Sequence, residues 1–218
     1  ADLLARHSIK VAVYTCYNRG KSLVDWMKAV KKFGGDLLVV GLSGPAGLTG
    51  GELRKAIQEQ VRKMQPDIDQ ATALGVRLAI ENHSGFLATP ESVRVLAEAI
   101  AAPNVGLAYA PYHLPQDAGL QAQLIRDVGR KIMLFYAWEH GDGSSLLPVA
   151  QQMKQLPGHG PLDFIPLLGA LKAVQFRGWT SIFMHPSPRG KPMLPTAGEM
   201  TAALNRSREY IDTCLGRI

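Results

Sequence analysis

Short runs dense in Val, Ile, Leu and aromatic residues alternate along this chain with longer stretches whose apolar residues recur three and four apart. The short runs are IKVAVYT (9–15), DLLVVGL (36–42), VRLAIEN (76–82), VGLAYA (105–110), KIMLFYAW (131–138) and TSIFMH (180–185). Their length and near-continuous apolar character predict strands covered on both faces, as in a parallel sheet. The segments between them predict helices, among them SLVDWMKAVKKF (22–33), GELRKAIQEQVRKMQPDIDQATAL (51–74) and TPESVRVLAEAIAA (89–102). Pro66 predicts a break or kink in the second of these. Thr89 and Pro90 carry the signature of an N-cap and a first helical residue. DAGLQAQLIRDVG, PLDFIPLLGALKAVQF and TAGEMTAALNRSREYIDTCLG complete the helical set, and the opening ADLLARHS reads as the end of a helix. The strand–helix rhythm predicts an α/β protein built on a parallel sheet.

Polar residues gather where the predicted strands end. They are Tyr17, Asn18 and Arg19, then Glu81, Asn82 and His83, then Tyr112 and His113, Glu139 and His140, and His185. Five of the six histidines follow a strand or, like His159, lie in a glycine-rich loop. In a parallel barrel all such loops open on one face, which holds the active site. An open doubly wound sheet also gathers them at its carboxyl edge. Neither GxGxxG nor GxxxxGK[ST] is present, so no nucleotide fingerprint supports the second arrangement. GLSGPAGLTGG (41–51) is glycine-rich without phosphate-cradle spacing and reads as a mobile loop.

Composition narrows the classes. The chain has 218 residues, 46% hydrophobic and 19% charged, enough to bury a sizeable core. The net charge of +6 is spread along helix-like segments (Lys28, Lys31, Lys32, then Arg54, Lys55, Arg62, Lys63) and does not alternate with aromatics. This disfavours a nucleic-acid groove. Cys16 and Cys214 show neither metal-ligand spacing nor a disulfide framework, which leaves the redox compartment open. No apolar run approaches the roughly 18 residues of a membrane span. No signal peptide is visible, and the cytoplasm is the expected compartment, with the periplasm kept open.

GVRLAIENH, NVGLAYAPYHL and LPGHGPLDFIPLLGALKAVQFRGWTSIFMHP occur in an order that resembles the xylose isomerase-like TIM barrels. That group includes sugar-phosphate isomerases and epimerases and endonuclease IV-like proteins. The resemblance covers almost the whole chain. It implies a single TIM (β/α)8-type barrel domain over 1–218 in which the first two βα units are lacking. Because such an opening exposes two long sheet edges, the expectation is a longer full-length protein. The resemblance also implies a divalent ion (Mn, Mg, Co or Zn) held by Glu, Asp, His and Glu from the family's fifth to eighth strands. Glu81 matches the first position. Ala110 stands at the Asp position, Tyr136 aligns with the His position with His140 four residues on, and His185 stands at the last Glu position. The expected metal set is therefore a rebuilt one of Glu81, His185 and His140, two imidazoles and a carboxylate.

A carboxylate at a barrel mouth can take a proton from a carbon next to a carbonyl. Glu81 is accordingly the expected base, and His185 the expected partner, either ligating a metal or donating to a substrate oxygen. His113 is expected to contact substrate and Trp138 to stack on a sugar face, unless it is a core residue. His159 lies in the loop that approaches ligand in the family. Tyr17 is read as a substrate contact, and Arg19 and Arg189 as anion anchors if the substrate is acidic. His83 reads as a loop brace. The expected function is that of a sugar or sugar-phosphate isomerase or epimerase acting on a small carbohydrate, with a homo-oligomer allowed. A keto-sugar lyase and a non-catalytic or metal-independent carbohydrate-binding barrel are the alternatives. An abasic-site endonuclease is disfavoured because so few of its metal ligands are present.

Overall fold

The computed structural model describes residues 2–16, 22–83, 85–140, 149–186 and 190–218. The chain divides into two compact units, Ala1–Ala108 and Tyr109–Ile218.

The first unit runs α1 (Asp2–Arg6), β1 (Tyr14–Cys16), α2 (Leu23–Lys32), β2 (Leu37–Gly41), α3 (Gly50–Lys63), α4 (Gln65–Leu74), β3 (Arg77–Glu81), α5 (Pro90–Ala99) and β4 (Val105–Tyr109). Its strands pair in parallel, with Leu38 opposite Leu78 and Leu78 opposite Val105. Leu37, Leu38, Val39 and Val40 are all buried, so β2 is covered on both faces, as its continuous apolar run predicts. The covering helices bury residues one turn apart: Met27 and Val30 on α2, Leu53 and Ile57 on α3, Val93 and Leu96 on α5. The predicted break falls at Met64, and Pro66 sits in the first turn of α4, where a missing N–H costs nothing. Gly75 closes α4 at φ 61°. Thr89 caps α5 through the Ser92 amide, and Ser92 returns a side-chain acceptor to the Thr89 amide. β1 is shorter than the apolar run 9–15: among the described residues, Tyr14–Cys16 pairs with β2.

The second unit runs through a 3-10 turn (Pro111–His113), α6 (Ala118–Val128), β5 (Ile132–Ala137), a 3-10 segment (Val149–Gln155), α7 (Phe164–Ala173), β6 (Trp179–Ile182) and α8 (Ala197–Leu215). β5 and β6 pair in parallel from Leu134–Trp179 to Ala137–Ile182. Leu134, Phe135, Phe164 and Leu167 form its core. β6 is also shorter than its apolar run, and Trp179 is half exposed.

Within the first unit the hydrogen-bonded strand order is β1-β2-β3-β4, and within the second β5 lies beside β6, each strand beside its sequence neighbour. A doubly wound sheet would reverse direction at a switch point. The consecutive parallel order is that of a TIM-type barrel, in which strand ends carry the site. Among the described residues no helix is long and apolar enough to cross a membrane.

Candidate functional site

Glu81 is the last residue of β3, and only 1% of it is exposed. Its register partners are Gly41 on β2 and Ala108 on β4. Paired residues in a parallel sheet point to the same face. The carboxylate therefore stands between a residue with no side chain and one with a single methyl, which leaves room around it at the strand end. The next residue, Asn82, is equally buried, and its amide donates to the Ala108 carbonyl at 3.4 Å. The His83 amide then donates back to the Glu81 carbonyl at 2.8 Å. That three-residue turn bends the chain sharply at the strand end and leaves the His83 side chain half-buried.

His113 closes the 3-10 turn that follows β4. Two glutamines hold this turn by its backbone. Gln116 Nε2 donates to the Pro111 and Leu114 carbonyls at 2.8 and 2.9 Å, and Gln121 Nε2 to the Pro115 carbonyl at 2.8 Å. Neutral amides satisfy these carbonyls without bringing a charge to the strand end. Glu81 and His83 each offer one atom able to ligate a metal ion, and these atoms lie within 4.8 Å of one another.

Beyond β5 the side chains alternate. Trp138 stacks on Tyr112 with ring centres 3.7 Å apart and planes 7° from parallel, and His140 meets the same Tyr112 ring edge-on at 5.3 Å. Phe183 packs against Trp138 at 4.7 Å. Glu139 turns the other way: its Oε2 accepts from the Leu162 amide at 2.9 Å. Its carboxyl is fully buried and is pushed up to about 8 by that burial, against the opposing pull of the Leu162 hydrogen bond. Burial likewise raises the Tyr112 hydroxyl.

Beyond β6, the main chain of His185 is gripped by Gln155. The His185 amide donates to Gln155 Oε1, and the His185 carbonyl accepts from Gln155 Nε2, both at 3.0 Å. His159 lies beside Ala203 and Arg206 of α8, and burial followed by the Arg206 cation lowers its affinity for a proton.

Of the residues singled out in the sequence, Glu81 belongs to this ligand set. Trp138 is 4% exposed, with one ring face taken by Tyr112. Tyr17, Arg19 and Arg189 lie outside the described residues. His83 enters the set although its sequence position reads as a brace. The signal that could have found it is the Glu-x-His spacing at a strand end, where a tight turn keeps residues two apart close together. The glutamines carry no sequence signal, because most of their partners are backbone atoms, which every residue offers.

The family model described as the xylose isomerase-like TIM barrel matches residues 4–210. No curated protein is a significant match. Among solved structures, a D-tagatose 3-epimerase-like protein superposes with a TM-score of 0.72 at 16% identity, covering 99% of this chain and 82% of its own. The IOLI protein with a bound zinc atom gives 0.69 at 19% identity, covering 95% and 79%. The 3-keto-D-glucoside 4-epimerase of E. coli gives 0.66 at 18% identity, covering 98% and 82%. At these identities the structural likenesses establish the fold, and the match over residues 4–210 establishes more: the chain belongs to the xylose isomerase-like TIM-barrel family.

Proposed function

We propose that this protein is a sugar or sugar-phosphate isomerase or epimerase in which Glu81 moves a proton on a carbon adjacent to a carbonyl. The observation that carries the reading is the placement of Glu81. It is a buried carboxylate at the carboxyl end of a barrel strand, flanked in register by Gly41 and Ala108. A carboxylate in such a place is shielded from bulk water, and its small neighbours leave space for a polyol chain. The reading is supported by the family and by the epimerases among the structural neighbours.

In this scheme Glu81 takes the proton; in an isomerisation it returns it to the neighbouring carbon, whereas in an epimerisation a second group protonates the opposite face of the same carbon. An imidazole N–H, that of His113 or His185, donates to the carbonyl oxygen while negative charge develops there. Glu81 and His83 are proposed ligands of a divalent ion. An imidazole beside a carboxylate suits zinc or a similar transition metal better than magnesium. Such an ion would supply positive charge beside the carbonyl oxygen. A carboxylate has two oxygens, so Glu81 can serve both as ligand and as base.

The test is solvent deuterium incorporation into a panel of ketoses and ketose phosphates, with metal content measured on the same preparation. Exchange at the carbon next to the carbonyl, abolished in Glu81→Gln, is the expected result. A folded protein that exchanges no proton into any ketose would overturn the proposal. It would favour a carbohydrate-binding barrel, in keeping with the fully buried Ala110 at the family's Asp position.

A further inference from the structure

We infer that Gln155 is a positioning residue that locks the end of β5 to the end of β6 and so places Trp138 and His185. The inference rests on the proposed function insofar as His185 serves the substrate site. The parallel pairing of β5 with β6 ends at Ala137 and Ile182. Trp138 and His185 lie just past that point, where no ladder bond holds them. Gln155, the last residue of the 3-10 segment, takes over there. Its Oε1 accepts from the Trp138 indole N–H and from the His185 amide, and its Nε2 donates to the His185 carbonyl, each at 3.0 Å. Its own carbonyl accepts from the Glu139 amide at 3.1 Å. The side chain is 2% exposed.

The amide does here what a neighbouring strand would do. It presents one acceptor and one donor side by side to the main chain of a single residue, and adds a grip on an indole. The partners permit one orientation only. Two N–H groups must face the oxygen and one carbonyl must face the nitrogen, so a flipped amide would set donor against donor and acceptor against acceptor. Both ends of the lock are held by the same planar group. A shift of His185 relative to Trp138 therefore breaks at least one hydrogen bond in a buried place, where water is a poor substitute. Trp138 is in turn stacked on Tyr112, the neighbour of His113. One neutral amide thus fixes an aromatic wall and a histidine main chain in a single register.

The test compares Gln155→Leu and Gln155→Glu with the parent protein. Trp138→Phe identifies the Trp138 indole N–H signal by nitrogen-15 NMR. In the parent, that proton is expected to exchange with solvent at least ten-fold more slowly than in Gln155→Leu. Gln155→Glu keeps an oxygen for the indole but places an acceptor against the His185 carbonyl. It is expected to retain the slow indole proton and to shift the His185 amide signal. Ketose proton exchange adds a second readout: kcat is expected to fall at least ten-fold in Gln155→Glu with KM within about three-fold. An unchanged indole proton in folded Gln155→Leu would overturn the lock, whatever the activity. A slow indole proton and a displaced His185 amide in a protein without ketose exchange would uphold the lock and remove the proposed function. An active Gln155→Glu with parental kcat would leave the lock without a role in placing His185, and would overturn that part of the inference. If Gln155→Leu does not fold, Gln155→Glu decides through the His185 amide.

Discussion

The buried carboxyl of Glu139 accepts a hydrogen bond from the Leu162 amide at 2.9 Å, while its other oxygen has no hydrogen-bond partner among the described residues. An ionised carboxylate there would lack the donors that burial demands. Its proton is accordingly held up to about 8, against an ordinary value of 4.5. Below pH 4.5 the group is protonated in both folded and unfolded chains and does not affect stability. Above it the unfolded chain releases the proton and the folded chain keeps it, so stability falls as pH rises from 4.5 to about 8 and then levels off. Glu139→Gln keeps an acceptor for Leu162 and removes the titration. Urea unfolding at several pH values should show the variant more stable than the parent at pH 8, by about 1–3 kcal/mol, and close to it near pH 4.5. Parallel profiles would contradict this.

Gly160 faces that carboxyl so closely that a Cβ would overlap it and would also press on the Lys154 carbonyl. Backbone cannot move aside cheaply, so Gly160→Ala is expected to cost about 1–3 kcal/mol and to lower the melting temperature by several degrees. At Gly51, within α3, a Cβ would meet open space. Gly51→Ala should leave the melting temperature unchanged or slightly raised, because alanine loses less backbone entropy on entering a helix. Equal effects at the two sites would refute the crowding argument.

Two contacts across the same strand pair should differ in weight. Asp36 and Arg77 form a two-pronged ion pair at 3.0 Å, but both side chains are substantially exposed. Water screens the pair, so Asp36→Asn should cost no more than about 1 kcal/mol, and less at high salt. Leu78, one residue along and wholly buried, loses contacts on every side when truncated. Leu78→Ala is expected to cost about 2–5 kcal/mol in chemical denaturation.

The sequence and the tertiary arrangement nominate different metal partners for Glu81. The resemblance leads to His140 and His185, whereas the ligand atom found close to Glu81 is that of His83. Zinc titration followed by calorimetry separates them. His83→Ala is expected to weaken zinc binding at least ten-fold, and His140→Ala to leave it within about two-fold. The reverse order of effects would restore the set expected from the resemblance.

Much of the fold was legible along the chain because its signals are local. The apolar run 36–42 contains β2, Pro66 marks the start of α4, and Thr89–Pro90 open α5, since strand cover, ring sterics and capping act within a few residues. The ends of β1 and β6 were not legible, because pairing depends on a segment distant in sequence, and no local pattern states where it ends. Glu81 could be picked out as a carboxylate ending an apolar run. That its register neighbours are Gly41 and Ala108 depends on how separate segments pair.

Local sequence signals were enough for the α/β class, the βα rhythm, the caps and the gathering of polar residues at strand ends, because periodicity and turn chemistry are written residue by residue. Which of those polar residues meet was decided by tertiary structure. Trp138 reads equally as a sugar platform or a core residue until the Tyr112 ring is found against its face. Gln155 reads as one glutamine among several until its amide is found between Trp138 and His185. Hydrogen bonds and ring contacts form between groups brought within a few ångströms, and that proximity is a property of the folded chain.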